Sequence, residues 1–236
     1  MSPQTPRTGF PDRPRFPPVE QAQPDGLLLV GGQLTPEWLL AAYSQGIFPW
    51  PSVGAGWEVL AWYSPDPRAV LELDAMHVPR RLQRRIRRGE FTVTWDRDFA
   101  AVVAQCAAPR EAAGGTWITA EMAAAYGRLH ALGHAHSVEV WQAERLVGGL
   151  YGVALGGFFA GESMFHRVRD AANVALVCLV ERLRQRGFVL FDVQQASPHL
   201  QRLGAVCVPR ALFLQRLQQA IALPVSFVEA AGCRGN

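Results

Sequence analysis

Apolar positions recur at helical spacing over residues 97–107 and 120–132, the second segment capped by Thr119 and stopped by Gly133, and from His136 the period shortens toward two. Segments 136–142, 145–155 and 158–162 therefore predict three consecutive antiparallel strands, joined by a turn near Ala143-Glu144 and by Gly156-Gly157. A helix over about 170–186, stopped by Gly187, leads into a strand at Val189–Val193. Ser197-Pro198 opens a further helix that Gly204 stops, and a short strand and a last helix from about 210 complete the order. Upstream, Thr35 as N-cap, Pro36 as first helical residue and Gly46 just past the end punctuate one more helix. The aromatic stretch Ile47–Pro51, continuing through Trp57, Trp62 and Tyr63, reads as irregular. Short strands are expected at Ala69–Leu73 and Phe91–Trp95, with a basic helix over about 79–88 between them.

Helix, helix, three meander strands, helix, strand, helix, strand is the order of an N-acetyltransferase-like (GNAT) core. The expected class is thus α/β in the α+β sense: that core over 96–236, and a smaller N-terminal α+β domain over 25–95 that carries the basic helix. Residues 1–24 contain seven prolines and predict a largely irregular segment, in which Phe16-Pro17-Pro18 can dock on the body.

Composition changes the picture little. At 236 residues, 49% hydrophobic and 18% charged, the chain has ample material for a core and is not of disordered type. The apolar stretch from Leu146 to Ala160 is interrupted by five glycines, so no membrane span is expected, and no secretory leader is read at the N-terminus. Cys106, Cys178, Cys207 and Cys233 have no metal-type spacing; reduced thiols in a cytoplasmic protein are expected, with Cys178 in the core. His134 and His136 lack a third ligand of suitable spacing, so structural roles and no metal are expected.

Net charge is only +3, but it is unevenly placed. Arg80, Arg81, Arg84, Arg85, Arg87 and Arg88 crowd one helical segment, with Leu82 and Ile86 to anchor it. Such a run is either a solvated face or a phosphate-binding face, and the absence of interrupting acids favours the phosphates of a polyanion.

Two acidic positions end apolar runs. Glu162 follows Gly161, and Asp192 lies two residues before Gln194, so in a regular strand Asp192 and Gln194 share a face. A carboxylate beside an amide can align a primary amine and draw off its proton. The alternative is that Asp192 caps the following turn and Gln194 bonds backbone. Glu162 is either an ordinary strand-end glutamate or an acid facing a cationic substrate. Trp117, Leu150, Phe158, Phe159, Met164 and Ser163 are candidates for the substrate pocket, against ordinary core packing.

Four segments together carry a resemblance. Gly115-Thr116-Trp117-Ile118-Thr119, Leu132-Gly133-His134-Ala135-His136-Ser137, Gly161-Glu162-Ser163-Met164-Phe165 and Phe191-Asp192-Val193-Gln194 resemble the leucyl/phenylalanyl-tRNA–protein transferase family, in order and over about residues 25–216. The resemblance implies an aminoacyltransferase that moves Leu or Phe from charged tRNA onto proteins with N-terminal Arg or Lys, in an N-degron pathway. It implies that Asp192, Gln194 and Glu162 are catalytic, that the arginine run contacts phosphates of the tRNA, and that no cofactor is needed because the tRNA ester is already activated. A monomer is expected. Val193 stands where the family has Cys, His166 where it often has Ser, and Ala172-Asn173 where Ser-Lys is usual. The rivals are an acetyl-CoA-dependent N-acetyltransferase, disfavoured because Phe165–Arg169 contains no glycine for a pyrophosphate loop, and a noncatalytic RNA-binding protein.

Overall fold

The computed structural model describes residues 14–54, 57–108 and 118–228. Two sheets organise these segments. The smaller is antiparallel, order β1-β3-β2, from β1 (Leu27–Val30), β2 (Phe48–Gly54) and β3 (Trp57–Tyr63). The larger has seven strands in the order β10-β4-β9-β8-β7-β6-β5. Its members are β4 (Arg68–Leu71), β5 (Thr92–Trp95), β6 (Ala135–Gln142), β7 (Arg145–Leu155), β8 (Phe158–His166), β9 (Leu190–Gln194) and β10 (Ala205–Val208). Only the β8–β9 pair is parallel.

The helices are α1 (Pro36–Tyr43), α2 (Arg80–Arg87), α3 (Phe99–Ala107), α4 (Ala120–Ala131), α5 (Ala171–Gln185), α6 (Pro198–Arg202) and α7 (Arg210–Ile221). The expected meander, crossover helix and following strand all form, and the chain is a mixed α/β fold with the element order of an N-acetyltransferase-like core. Side chains predicted as N-caps act as such: Thr35, Thr119 and Ser197 each accept a backbone N–H from the first turn of α1, α4 and α6. The large sheet separates two cores. On one face Phe99, Met122, Tyr126, Tyr151, Phe158 and Phe213 pack with α1. On the other, Leu150, Phe159 and Phe191 meet the apolar face of α5 and Leu82 of α2.

Two expectations differ from what is observed. The aromatic stretch 48–63 is a β-hairpin rather than irregular. Pro49 and Pro51 concealed it, yet β2 is an edge strand, where a missing N–H leaves no ladder partner wanting. The expected boundary at 95 does not coincide with the division between sheets, because β4 and β5 both hydrogen-bond into the large one. Phe16 docks as anticipated, edge-on against Trp38 and Trp62 at 5.3 and 5.0 Å between centroids.

Candidate active site

Strands β8 and β9 run together from Phe158↔Leu190 to Ala160↔Asp192 and then part. Beyond Ala160, β8 continues to His166 while β9 ends at Gln194. A cavity of about 210 Å³ occupies the opening. Leu150, Met164, Leu176, Phe191, Val193 and Leu200 give it apolar walls. Glu162, Gln194 and Tyr151 supply polar groups, Ser163 lines it too, and Trp50 reaches it from β2.

Glu162 is the centre of the polar end. The Tyr126 hydroxyl donates to its Oε2 at 2.8 Å, and the Tyr43 hydroxyl lies 2.8 Å from that of Tyr126. Gln194 Nε2 lies 3.5 Å from Oε1. Burial pushes the Glu162 carboxyl up to about 7, with Asp192 adding to the rise, while hydrogen bonds from Tyr43 and Tyr126 and the charge of Arg68 oppose it. Burial, followed by the charge of Glu162, drives the hydroxyls of Tyr43, Tyr126 and Tyr151 well above the usual phenol range. They therefore stay protonated at neutral pH. Tyr151 Oη is fully buried and has no hydrogen-bond partner among the described residues.

Asp192 has a different setting from the one its spacing suggested. It is 0% exposed and forms a two-pronged pair with Arg68, Nε to Oδ1 at 2.8 Å and Nη2 to Oδ2 at 2.6 Å. Its Oδ1 also accepts the Gln194 N–H at 2.9 Å. The Arg68 guanidinium lies 4.7 Å from the ring centroids of both Phe48 and Phe213, and its Nη1 donates to the Gly46 carbonyl at 3.0 Å. Gly46 adopts φ +72°, a backbone suited to glycine, which turns that carbonyl after α1.

Strand alternation fails at this point, for Gln194 has φ +56° and the β4–β9 register shifts between Ala69 and Val70. Phe191, Val193 and Gln194 consequently line the cavity, and Asp192 does not. The expectation that Asp192 and Gln194 point into one space is corrected accordingly.

Leu150, Met164 and Ser163 reach the cavity as expected. Phe158 and Phe159 do not: they precede the splay, are 0% exposed, and pack against Phe213 and against Phe188, Phe191 and Phe227 respectively. Trp117 lies outside the described residues. The residues missed were Tyr43, Tyr126, Tyr151, Arg68, Trp50, Leu176 and Leu200. Tyr43, Trp50, Arg68 and Tyr126 come from elements remote in sequence, while Tyr151, Leu176 and Leu200 lie nearer the predicted residues but carry no local motif. His136 is structural, with Nδ1 2.7 Å from Asp96 Oδ2 and its ring stacked on Phe227 at 4.4 Å.

Of the arginine run, Arg80, Arg81, Arg84 and Arg87 on α2 and Arg88 at its C-terminal end are exposed. Arg85 is not part of that face. It pairs with Glu90 at 2.9 Å and Asp170 at 3.0 Å and stacks on Phe91, so the run is partly compensated by acids distant from it or just beyond it.

The family models described as "Leucyl/phenylalanyl-tRNA protein transferase" and its N-terminal domain match residues 70–218 and 32–66. The chain belongs to the leucyl/phenylalanyl-tRNA–protein transferase family. It is 58% identical over 210 residues to a protein of that name from Nitratidesulfovibrio vulgaris strain DP4, covering 89% of this chain and 88% of the relative. It is 53% identical over 231 residues to one from Chromohalobacter salexigens, covering 94% and 89%. Among solved structures, a GCN5-related N-acetyltransferase from Kribbella flavida aligns with TM-score 0.37 and 12% identity, over 74% of this chain and 61% of that one. The chain is thus an aminoacyltransferase, and the interval between the two family models contains Arg68, the residue that ties the site together.

Proposed function

We propose that this transferase moves leucine or phenylalanine from charged tRNA to the α-amino group of proteins beginning with Arg or Lys, as a step of an N-degron pathway, and acts as a monomer. The acyl side chain enters the apolar cavity. The Arg/Lys restriction is supported by the family resemblance, and the negative charge of Glu162 at the cavity suits a cationic acceptor.

The observation that carries the mechanism is the Glu162 carboxyl, buried and poised at about 7 beside that cavity. A general base works best with its pKa near the operating pH. The acceptor amine attacks the ester carbonyl carbon, a C–N bond forms, and the acyl bond to the 3′-oxygen breaks. Glu162 takes the proton released by the attacking nitrogen and returns it to the leaving 3′-oxygen, so no net proton is gained or lost. Tyr126 and Tyr43 stabilise the carboxylate before it takes the proton and after it returns it. Gln194 orients the amine, and Asp192, committed to Arg68, is a positioning residue that holds the Gln194 backbone. Alignment of the two reactants supplies several kcal/mol of barrier lowering on its own.

The test is transfer of labelled leucine from charged tRNA to peptides beginning with Arg, Lys or Ala, with Glu162→Gln alongside. Label on the Arg and Lys peptides only, reduced roughly 10²–10⁴-fold by the substitution, is the expected result. Tight tRNA binding without turnover would leave an RNA-binding protein and sink the enzymatic reading.

A further inference from the structure

The apolar cavity does not end at the splay. Met164 also lines a neighbouring hollow of about 350 Å³, together with His166, Arg169, Asn173 and His199. Arg169, Asn173 and His199 line the next, of about 400 Å³, with Arg81 and Arg202. Arg81 and Arg169 recur in a last one, with Arg84 of α2 and Arg88 at its C-terminal end. Successive hollows share lining residues, so they follow one another from the acyl cavity, across the start of α5, to the arginine helix.

Its charge is one-sided. Arg169, Arg202, Arg81 and Arg84 form no ion pair among the described residues, and all four are exposed. The two acids along the path, Asp170 and Glu90, are both held by Arg85 at 3.0 and 2.9 Å. Arg85 Nη1 also donates to the Arg169 carbonyl at 2.6 Å, which fixes the loop that carries Arg169 against α2. His199 feels the same field: burial, Arg202 and His166 all lower its pKa. The 23 Lys and Arg positions of the chain are all arginine, whose planar fork suits phosphate oxygens.

We propose that Arg169, His199 and Arg202 form a phosphate track for the 3′-terminal nucleotides of the tRNA, between the acyl cavity and the exposed arginine face of α2. This rests on the transfer reading above. It assigns the two basic regions separate tasks. The track holds the single-stranded end whose ester must reach Glu162, and Arg84 and Arg88 contact phosphates farther along. Such contacts set the register of the tRNA without reading its sequence.

The test uses the full chain and three donors: leucylated tRNA, its leucylated 3′-terminal CCA trinucleotide, and 3′-leucyl-adenosine, which has no phosphate. The readout is the ratio of KM for the trinucleotide to KM for leucyl-adenosine. In the variant Arg169→Gln/His199→Gln/Arg202→Gln this ratio is expected to rise at least about tenfold, since one charge-assisted hydrogen bond to phosphate is worth a factor of that order. In Arg84→Gln/Arg88→Gln the KM for leucylated tRNA rises while that ratio stays as in the parent. The salt slope of trinucleotide binding should also fall by about 0.7 for each phosphate the track no longer neutralises. Because the substituted side chains are exposed or half-buried on the surface, the variants keep the parent's urea midpoint. An unchanged ratio in the triple variant, with the parent active on all donors, overturns the track and leaves the transfer reading standing. A parent that transfers leucine from none of the three overturns both.

Discussion

Asp192→Ala separates a base from a structural partner. In the folded chain the Asp192 carboxylate is the only anion, among the described residues, on a guanidinium that is 1% exposed and lies between Phe48 and Phe213. Removing it leaves Arg68 buried with the Gly46 carbonyl alone, and leaves the Gln194 N–H without its acceptor. Breaking a buried pair from one side costs about 3–5 kcal/mol, and the orphaned amide adds about 1 kcal/mol or more. At roughly 2–4 °C per kcal/mol for a chain of this size, the pair alone lowers Tm by about 6–20 °C.

Urea unfolding followed by tryptophan fluorescence, together with leucine transfer, measures both effects. The companion Arg68→Met/Asp192→Leu removes both charges between aromatic rings, and should return most of the lost stability without returning activity. An Asp192→Ala protein with the parent's urea midpoint, no activity and an altered pH profile would refute this reasoning. It would restore Asp192 as the proton acceptor.

Glu162 gives two pH signatures. Transfer should rise with pH through about 7 as the carboxyl ionises, and Glu162→Gln should flatten that limb as well as lower the rate; a limb that survives the substitution belongs to another group. For stability the sign is opposite. The native carboxyl holds its proton up to about 7 against an ordinary value of 4.5, so its contribution is full below pH 4.5 and lost as pH rises through 7. Glu162→Gln should thus gain on the parent at pH 8, by up to about 3 kcal/mol before allowance for solvent access, and show no such gain at pH 4 in urea titrations. Tyr126→Phe removes a donor to the carboxylate and should shift the activity limb upward by about 1–2 pH units; a downward shift would contradict the assigned hydrogen bond. Arg85→Gln frees Asp170 and Glu90 toward the groove, so tRNA affinity should fall most at low salt although Arg85 lies off the exposed face of α2.

Legibility in the sequence followed the range of the interactions. Helix starts were readable because Thr35, Thr119 and Ser197 act within three residues of their own position. Meander strands were readable because alternation and turn residues are local. Glu162 stood out for a local reason as well: a charge at the end of an apolar run demands compensation. The compensation itself was invisible, since Tyr126 and Tyr43 lie on α4 and α1. The Arg68–Asp192 pair joins positions 124 apart and leaves no mark at either end. Phe158 and Phe159 were misassigned because composition cannot distinguish the paired half of β8 from the half beyond the splay. For Gln194 a correct strand produced a wrong face, because its own left-handed backbone breaks the period on which the pairing with Asp192 depended.

These long-range partners explain why both sheets are needed for one active site. Arg68 opens β4 of the large sheet, yet its remaining bonds and ring contacts reach Gly46 and Phe48, which lead into the small sheet. Tyr43, at the end of α1, belongs to the same stretch and completes the hydroxyl pair at Glu162. Asp192 raises the Glu162 carboxyl, whereas Arg68, Tyr43 and Tyr126 lower it. The segment before β4 therefore does more than cover apolar surface. Through Tyr43 it supplies one of the groups that oppose the rise of the Glu162 carboxyl, and through Gly46 and Phe48 it holds Arg68, which supplies another.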